Sequence, residues 1–234
     1  MGILVSIIIP CKNEEAYIGK LLDSLVLQNL TNIYEIIIAD AGSTDSTLSI
    51  IDNYKDKLHN LKVIGGSIPS IGRNLGAKAA KGDILLFIDS DVYFKDNNII
   101  NHSFRRFRKN KSELLGCMLN IEHDFFVRLI YFLCNGVIRL SKLDKPFVVG
   151  SYFMINKDKF FKLGGFDEEL MHCEDYFLSK EINPKKFSVV NKYVYTDNRR
   201  FKKMGYLKMV TYFIKNIFKK NDKDYFKKDI GYWL

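Results

Sequence analysis

The chain is poor in the features that would mark it as secreted, zinc-bound or membrane-spanning. Its four cysteines, Cys11, Cys117, Cys134 and Cys173, are scattered, with no Cys-x-x-Cys pair and no zinc-ligand spacing. That usage points to free, mostly buried thiols in a reducing compartment. No apolar run is long enough to span a bilayer. The longest, Phe125 to Leu140, is interrupted by Arg128, Asn135 and Arg139. The N-terminus leads straight into a strand, so no signal peptide is expected. Met1-Gly2 with Ser6 fits a myristoylation pattern, discounted here because Gly2 abuts that strand. Basic charge is missing from most of the chain. From Arg199 onward eleven Lys/Arg face three Asp, which accounts for +8 of the net +9 and leaves the first 198 residues nearly neutral. A nucleic-acid-binding protein would carry its basic surface on the main fold as well, so nucleic acid is excluded as a partner.

What is present is an ordinary apolar content, 47%, and a high aromatic content, 14%. At 234 residues the chain can build one α/β domain with a full core and an appendage. Strand and helix patterns alternate: strands over Leu4–Ile9, Tyr34–Ala39, Leu61–Ile64 and Ile84–Ile88, and helices over Glu14–Leu27, from about Thr47 to Lys57, and Ser70–Ala80 with Ser70 as N-cap. Such repeats of about 30 residues predict a parallel sheet with right-handed crossovers. Ile84-Leu-Leu-Phe-Ile88 reads as a buried strand. It stops at Asp89-Ser90-Asp91, paired carboxylates at the strand end where parallel sheets bind ligands. Hard divalent cations take such oxygens together with substrate phosphates. A polar turn that happens to hold two aspartates is the bland alternative. Pro10, Asp40 and Asp89 end three strands on one edge, within reach of a nucleotide-sized ligand. Arg73 falls in the expected first turn of its helix, where a phosphate contact competes with a plain surface arginine.

The series Val5 to Glu15, then Ile38-Ala-Asp-Ala-Gly-Ser-Thr-Asp45, then Gly72-Arg-Asn-Leu-Gly76, then Asp89-Ser-Asp91, resembles a family 2 glycosyltransferase of the GT-A fold. The resemblance implies a Rossmann-like, mostly parallel sheet flanked by helices. It also implies a nucleotide-diphospho-sugar donor, UDP- or GDP-sugar, and a manganese or magnesium ion. Pro10, Glu14 and Asp40 would line the nucleoside pocket, Arg73 would meet the donor, and Asp89 and Asp91 would serve ribose and metal. The family often has a second aspartate where this chain has Ala41. Later, Gly164-Gly-Phe-Asp-Glu168 and Glu174-Asp175 resemble the acceptor half, in which Asp175 would be the catalytic base. Arg199 and Arg200 resemble a late basic motif that meets the donor diphosphate.

The remaining segments are read from pattern. Asn97–Lys109 is expected to be helical, and Leu114–Ile121 and Phe147–Asn156 to be strands, with a further short strand over Tyr193–Thr196. The nearly all-apolar helix over Phe125–Leu140 is expected in the core, with a greasy acceptor or a membrane as the alternative. Tyr206–Lys220 is a basic amphipathic helix with Lys208, Lys215 and Lys219 on one side. Its partner is either the domain or an anionic membrane surface. Residues 1–198 thus read as a catalytic domain and 199–234 as a basic tail. The whole suggests an inverting, metal-dependent glycosyltransferase peripheral to the cytoplasmic face of a membrane, acting on a hydroxyl acceptor that is lipid-linked or a cell-surface glycan precursor. The competing readings are an Asp-x-Asp phosphatase, which would want its pair after the first strand, and a catalytically silent nucleotide-binding partner that recruits a complex to membranes.

Overall fold

The computed structural model describes residues 5–30 and 34–228. Leu4, Gly2 and Asp229, which enter the readings above, lie outside them. The fold is α/β, built on a seven-stranded sheet. The first half is four strands, β1 (Val5–Cys11), β2 (Tyr34–Asp40), β3 (Leu61–Gly65) and β4 (Ile84–Ile88). They are connected by α1 (Ile18–Val26), α2 (Thr47–Asp52) and α3 (Pro69–Ala79). The second half holds α4 (Ile99–Lys109), β5 (Leu114–Asn120), α5 (Phe125–Leu140), β6 (Tyr152–Asn156), α6 (Lys157–Lys162), α7 (Glu174–Ser179) and β7 (Phe187–Tyr195). Three helices follow: α8 (Arg199–Met204), α9 (Tyr206–Lys219) and α10 (Lys223–Phe226).

The sheet order is β3-β2-β1-β4-β6-β5-β7. β1 pairs in parallel with β2 and β4, and β5 in parallel with β7, while β6 runs antiparallel to both β4 and β5. Every strand but β6 therefore points the same way. The chain leaves β1 toward β2 and β3, then returns to β4 on the other side, so the gap between the ends of β1 and β4 is a topological switch point. Ligands bind at such points because the loops diverge there.

Strand alternation sorts the core onto two faces. Ile7, Ile9, Ile36, Ile38, Leu86 and Ile88 pack under α1 and its neighbours, and Ile8, Ile37, Leu85 and Phe87 pack on the opposite side with Phe153, Phe160 and Phe166.

The structure departs from the sequence pattern at four places. Ser70 is not an N-cap: α3 begins at Pro69, after Ile68 in an extended conformation, because Pro at N1 is pre-set for a helix start. Helix α2 ends at Asp52, with turns beyond it. The short strand expected at Tyr193 is the end of β7, whose first half was masked by Ser188, a buried residue bonded to Ser112 and Asn110. Helix α5 is not a core helix. Only Val127, Tyr131, Asn135 and Ile138 are buried, and Phe125, Phe132, Leu133 and Leu140 are exposed. Helix α9 faces the core through Met209 and Tyr212, leaving Leu207, Ile217 and Phe218 outside.

Helix α3 lies directly on β1, and a Cβ added at Gly76 would collide with Ile8 Cγ2. Ile8 is β-branched and fully buried, so it has no rotamer to yield into. Gly76→Ala gains up to about 1 kcal/mol of helix propensity, but overpacking costs about 1–3 kcal/mol. The expected result is a lower denaturant midpoint; an unchanged one would show that α3 can shift away.

Candidate functional site

The sheet topology accounts for the site. β6 runs against β4, so its entry, Gly150-Ser151, lies beside the exit of β4, and Asp89 N–H donates to Ser151 O at 3.4 Å. β7 runs with β4, so its exit, Thr196 to Arg200, reaches the same edge. A bridge between Tyr93 and Tyr195 fixes the stretch after Asp91 against it.

Arg73 is at the centre. It is fully buried, and its two terminal nitrogens are divided between Asp89 Oδ1 (2.5 Å) and Glu174 Oε1. It lies in the second turn of α3, not the first, and is no surface arginine; both ends of its fork are held by carboxylates. Gly150 makes room for it, since a Cβ there would fall 2.8 Å from Nη2. The next residue, Asn74, exchanges hydrogen bonds of 2.9 Å with the backbone of Phe166 and donates to Glu168. The Gly72-to-Gly76 motif thus joins the two halves of the chain.

Asp175 sits beside this pair. Its Oδ2 accepts from Gly150 N–H at 2.6 Å and its Oδ1 from its own helix's Tyr176 N–H at 2.7 Å. Burial pushes the carboxyl up to about 7, the Glu174 charge adds to that, and Arg73 opposes it. Cys173 before it takes a left-handed φ of 60°, which turns Glu174 toward Arg73 and leaves Asp175 on the cavity. Behind them His172 is buried, with Nδ1 3.0 Å from Tyr212 Oη of α9, and desolvation holds its imidazole neutral.

A second arginine closes the other side. Arg199 forks onto both oxygens of Glu14, at 2.7 Å each, reaches Asp91 Oδ2 at 3.1 Å and lies over the Tyr17 ring. Asp40 makes a turn instead of facing open space: its oxygens accept from Gly42 N–H and Ser43 N–H at 3.0 Å and from Ser43 Oγ at 2.5 Å. Asn13 and Glu14 are laced to this turn through Thr44 N–H and Thr47 Oγ1. Pro10 lies under Gly72.

Arg73, Asp89, Asp91, Asp175 and Arg200 line one cavity of ≈ 560 Å³. Pro10, Glu14, Asp40 and Arg199 do not line it; Arg199 meets its edge through Asp91. Sequence reasoning gave Glu174 no role and missed Gly150 and His172. The glycine at a strand entry was the one visible signal. Among the described residues no three His, Cys, Asp or Glu side chains are grouped to hold a metal. Asp91 and Asp89 fit the partial set of a magnesium- or manganese-type ion, whose shell substrate phosphates would complete.

Residues 6–164 match the sequence model of the family described as "Glycosyl transferase family 2". The chain belongs to that family. The "Poly(ribitol-phosphate) beta-glucosyltransferase" of Bacillus spizizenii is 32% identical over 207 residues, 82% of this chain and 31% of that protein. The "Poly(ribitol-phosphate) beta-N-acetylglucosaminyltransferase TarS" of Staphylococcus aureus is 41% identical over 101 residues, 40% of this chain and 17% of that one. The family 2 chain thus spans less than a third of either relative. S. aureus TarS 1–349 in complex with UDP-GlcNAc superposes with a TM-score of 0.69 at 24% identity, over 83% of this chain and 58% of that one. Mannosyltransferase PcManGT from Pyrobaculum calidifontis, in complex with GDP-Man and Mn2+, gives 0.68 at 17% identity, over 82% of this chain and 56% of that one. These likenesses show the GT-A fold.

The raised Asp175 has a consequence for stability. A carboxyl whose pKa is higher folded than unfolded favours folding below its unfolded value, and that contribution is lost as pH rises through the folded one. Asp175→Asn removes the ionisation. The variant is expected to match wild type near pH 4 and to melt progressively higher than it up to about pH 7, with a constant gap above. Parallel melting curves at all pH values would show that Asp175 ionises normally.

Proposed function

We propose that the chain is an inverting glycosyltransferase that moves one sugar from a nucleotide-diphospho-sugar, of UDP or GDP type, to an acceptor hydroxyl of a lipid-linked or cell-surface glycan precursor. The observation that carries this is the half-buried Asp175 carboxyl lining the same cavity as Asp89 and Asp91 at the switch point of a family 2 fold. An acceptor hydroxyl is a poor nucleophile at neutral pH. Asp175, ionised, takes its proton as the acceptor oxygen bonds to the anomeric carbon, a contribution of about 10²–10⁴ in rate. The bond to the diphosphate oxygen breaks on the opposite face, so the anomeric configuration inverts and no carboxylate nucleophile is needed. Asp40, Glu14 and Pro10 form the nucleoside end, and Arg199 and Arg200 stand where the diphosphate charge develops. A divalent cation held by Asp91, with Asp89 beside it, would neutralise the leaving diphosphate; the S. aureus and P. calidifontis structures carry ligands of these donor types.

The setting is the cytoplasmic face of a membrane. No described helix is long and apolar enough to cross a bilayer. Helix α9 instead combines exposed Ile214 and Phe218 with Lys208 and Lys215, the pairing of apolar and basic groups that rests on an anionic surface.

In a thermal-shift panel with UDP, GDP, dTDP and CDP, one nucleotide with manganese is expected to raise Tm, since a ligand at 100 times its Kd stabilises by about 2.7 kcal/mol. Asp175→Asn should keep that shift while sugar transfer falls by about 10²–10⁴. Transfer by wild type should rise with pH up to about 7, as Asp175 ionises. Asp91→Ala should lose the manganese dependence. A silent recruiting partner would show no transfer with any nucleotide sugar, and turnover of Asp175→Asn within a few-fold of wild type would dismiss Asp175 as base.

Replacing both Lys208 and Lys215 by Gln is expected to weaken binding to anionic vesicles by about 2 kcal/mol, roughly thirtyfold. Sedimentation with phosphatidylserine liposomes measures this; equal binding by wild type and variant would remove the membrane role from α9.

A further inference from the structure

The cavity that holds Asp175 changes character along its length. Its inner end is charged, with Arg73, Asp89, Asp91 and Glu174. Its outer end is a cleft between α5 and α9, walled by Val137 and Leu140 from one helix and Phe213 and Ile217 from the other. Three of these wall residues are also on the surface: Val137 is 51% exposed, Leu140 65% and Ile217 62%. The cleft is therefore open to the outside between two apolar helix faces. Exposed apolar surface of this extent marks an interaction site more often than chance. The wall residues Val137, Leu140 and Ile217 carry no polar group to pair with a sugar hydroxyl or a water. At the same end Lys145 and Lys220 line the cavity, with Asp144 beside them. An apolar slot rimmed by ammonium groups, continuous with a candidate general base, complements a molecule with a hydrocarbon chain next to an anionic group.

We infer that the cleft between α5 and α9 is the acceptor site, and that its occupant is a lipid-linked acceptor bearing a phosphate. This rests on the glycosyltransferase reading and chooses between its two acceptor classes. The chain lies along Val137, Leu140 and Ile217, the phosphate meets Lys145 and Lys220, and the hydroxyl to be glycosylated reaches Asp175. The openness of the cleft between the exposed faces of α5 and α9 lets the acceptor enter sideways from a membrane surface without leaving it.

The test is calorimetric titration of the full chain with farnesyl phosphate, isopropyl phosphate and inorganic phosphate, each below any micelle concentration. Farnesyl phosphate is expected to bind at least about tenfold tighter than the other two. Val137→Asp and Ile217→Asp should each weaken it by about tenfold or more. Phe125→Asp, on the same helix at 81% exposure but outside the cavity, should leave it unchanged. Both cleft positions are exposed, and a wild-type Tm in each variant confirms that folding is retained. Equal affinity for the three phosphates, or farnesyl phosphate binding untouched by Val137→Asp and Ile217→Asp, overturns the inference. Loss in Phe125→Asp as well overturns it too, since binding would then be to the apolar surface at large. The nucleotide thermal shift is measured on the same samples. A nucleotide shift without farnesyl phosphate selectivity rejects the lipid cleft and keeps the transferase; the reverse result rejects the donor site and keeps the cleft.

Discussion

The structure depends on one buried cation. Arg73 ties three segments together that are far apart in sequence: α3, the exit of β4 through Asp89, and the start of α7 through Glu174. A buried ion pair contributes little net stability when both partners are desolvated. Removing one partner is different. It would leave two carboxylates in the interior without a counter-charge, a loss of about 3–5 kcal/mol. The pair therefore acts as a positional lock between the exit of β4 and the start of α7. It also sets the neighbouring acid. Burial and the Glu174 charge push the Asp175 carboxyl upward, and the Arg73 charge opposes them together with the N–H groups of Tyr176 and Gly150.

The glycines around this lock are explained by it. Gly150 gives space to the guanidinium and its N–H to Asp175. Gly165, at φ +76°, brings the turn before Asp167 close enough to Asn74 that a Cβ would lie 2.8 Å from its Oδ1. A side chain at either position would press on the link between the two halves of the sheet.

Much of the first half was legible in the sequence, because it is written in local terms. Buried strands such as Ile84–Ile88 read as runs, helices read as periodicity, and parallel strands necessarily bring Pro10, Asp40 and Asp89 to one edge. What was illegible is long-range. Nothing near Arg73 shows that its partner is Glu174, 101 residues away. Nothing in Glu174-Asp175 shows which carboxylate turns to the arginine, because that is decided by the left-handed Cys173. Helix α5 misled for a physical reason. Its apolar circumference is what a core helix needs, but the sheet offers cover to only one side of it, through Val127, Tyr131, Asn135 and Ile138. The uncovered side then becomes one lip of the cleft. The same holds for α9, where the pattern marked an apolar face but not that Met209 and Tyr212 would be the two residues on the core.

The charge balance of the site constrains how a donor can bind on the proposed reading. Arg73 is surrounded by Asp89, Glu174 and Asp175, and Arg199 by Glu14 and Asp91, which makes five carboxyls about two guanidiniums. A diphosphate adds more negative charge. At an effective dielectric constant of about 20, two like charges at 4 Å repel by about 4 kcal/mol, so an unaccompanied diphosphate beside Asp91 is strongly disfavoured. Two arrangements relieve this. A divalent cation can share Asp91 with the phosphates, leaving the Arg199–Glu14 fork intact. Alternatively Arg199 can turn from both Asp91 and Glu14 to the diphosphate, leaving Glu14, a carboxyl that burial already favours in its neutral form, without its cation. Because Arg199 begins α8, directly before the helix that walls the cleft, the second arrangement would couple donor binding to the acceptor end of the cavity, and the first would not.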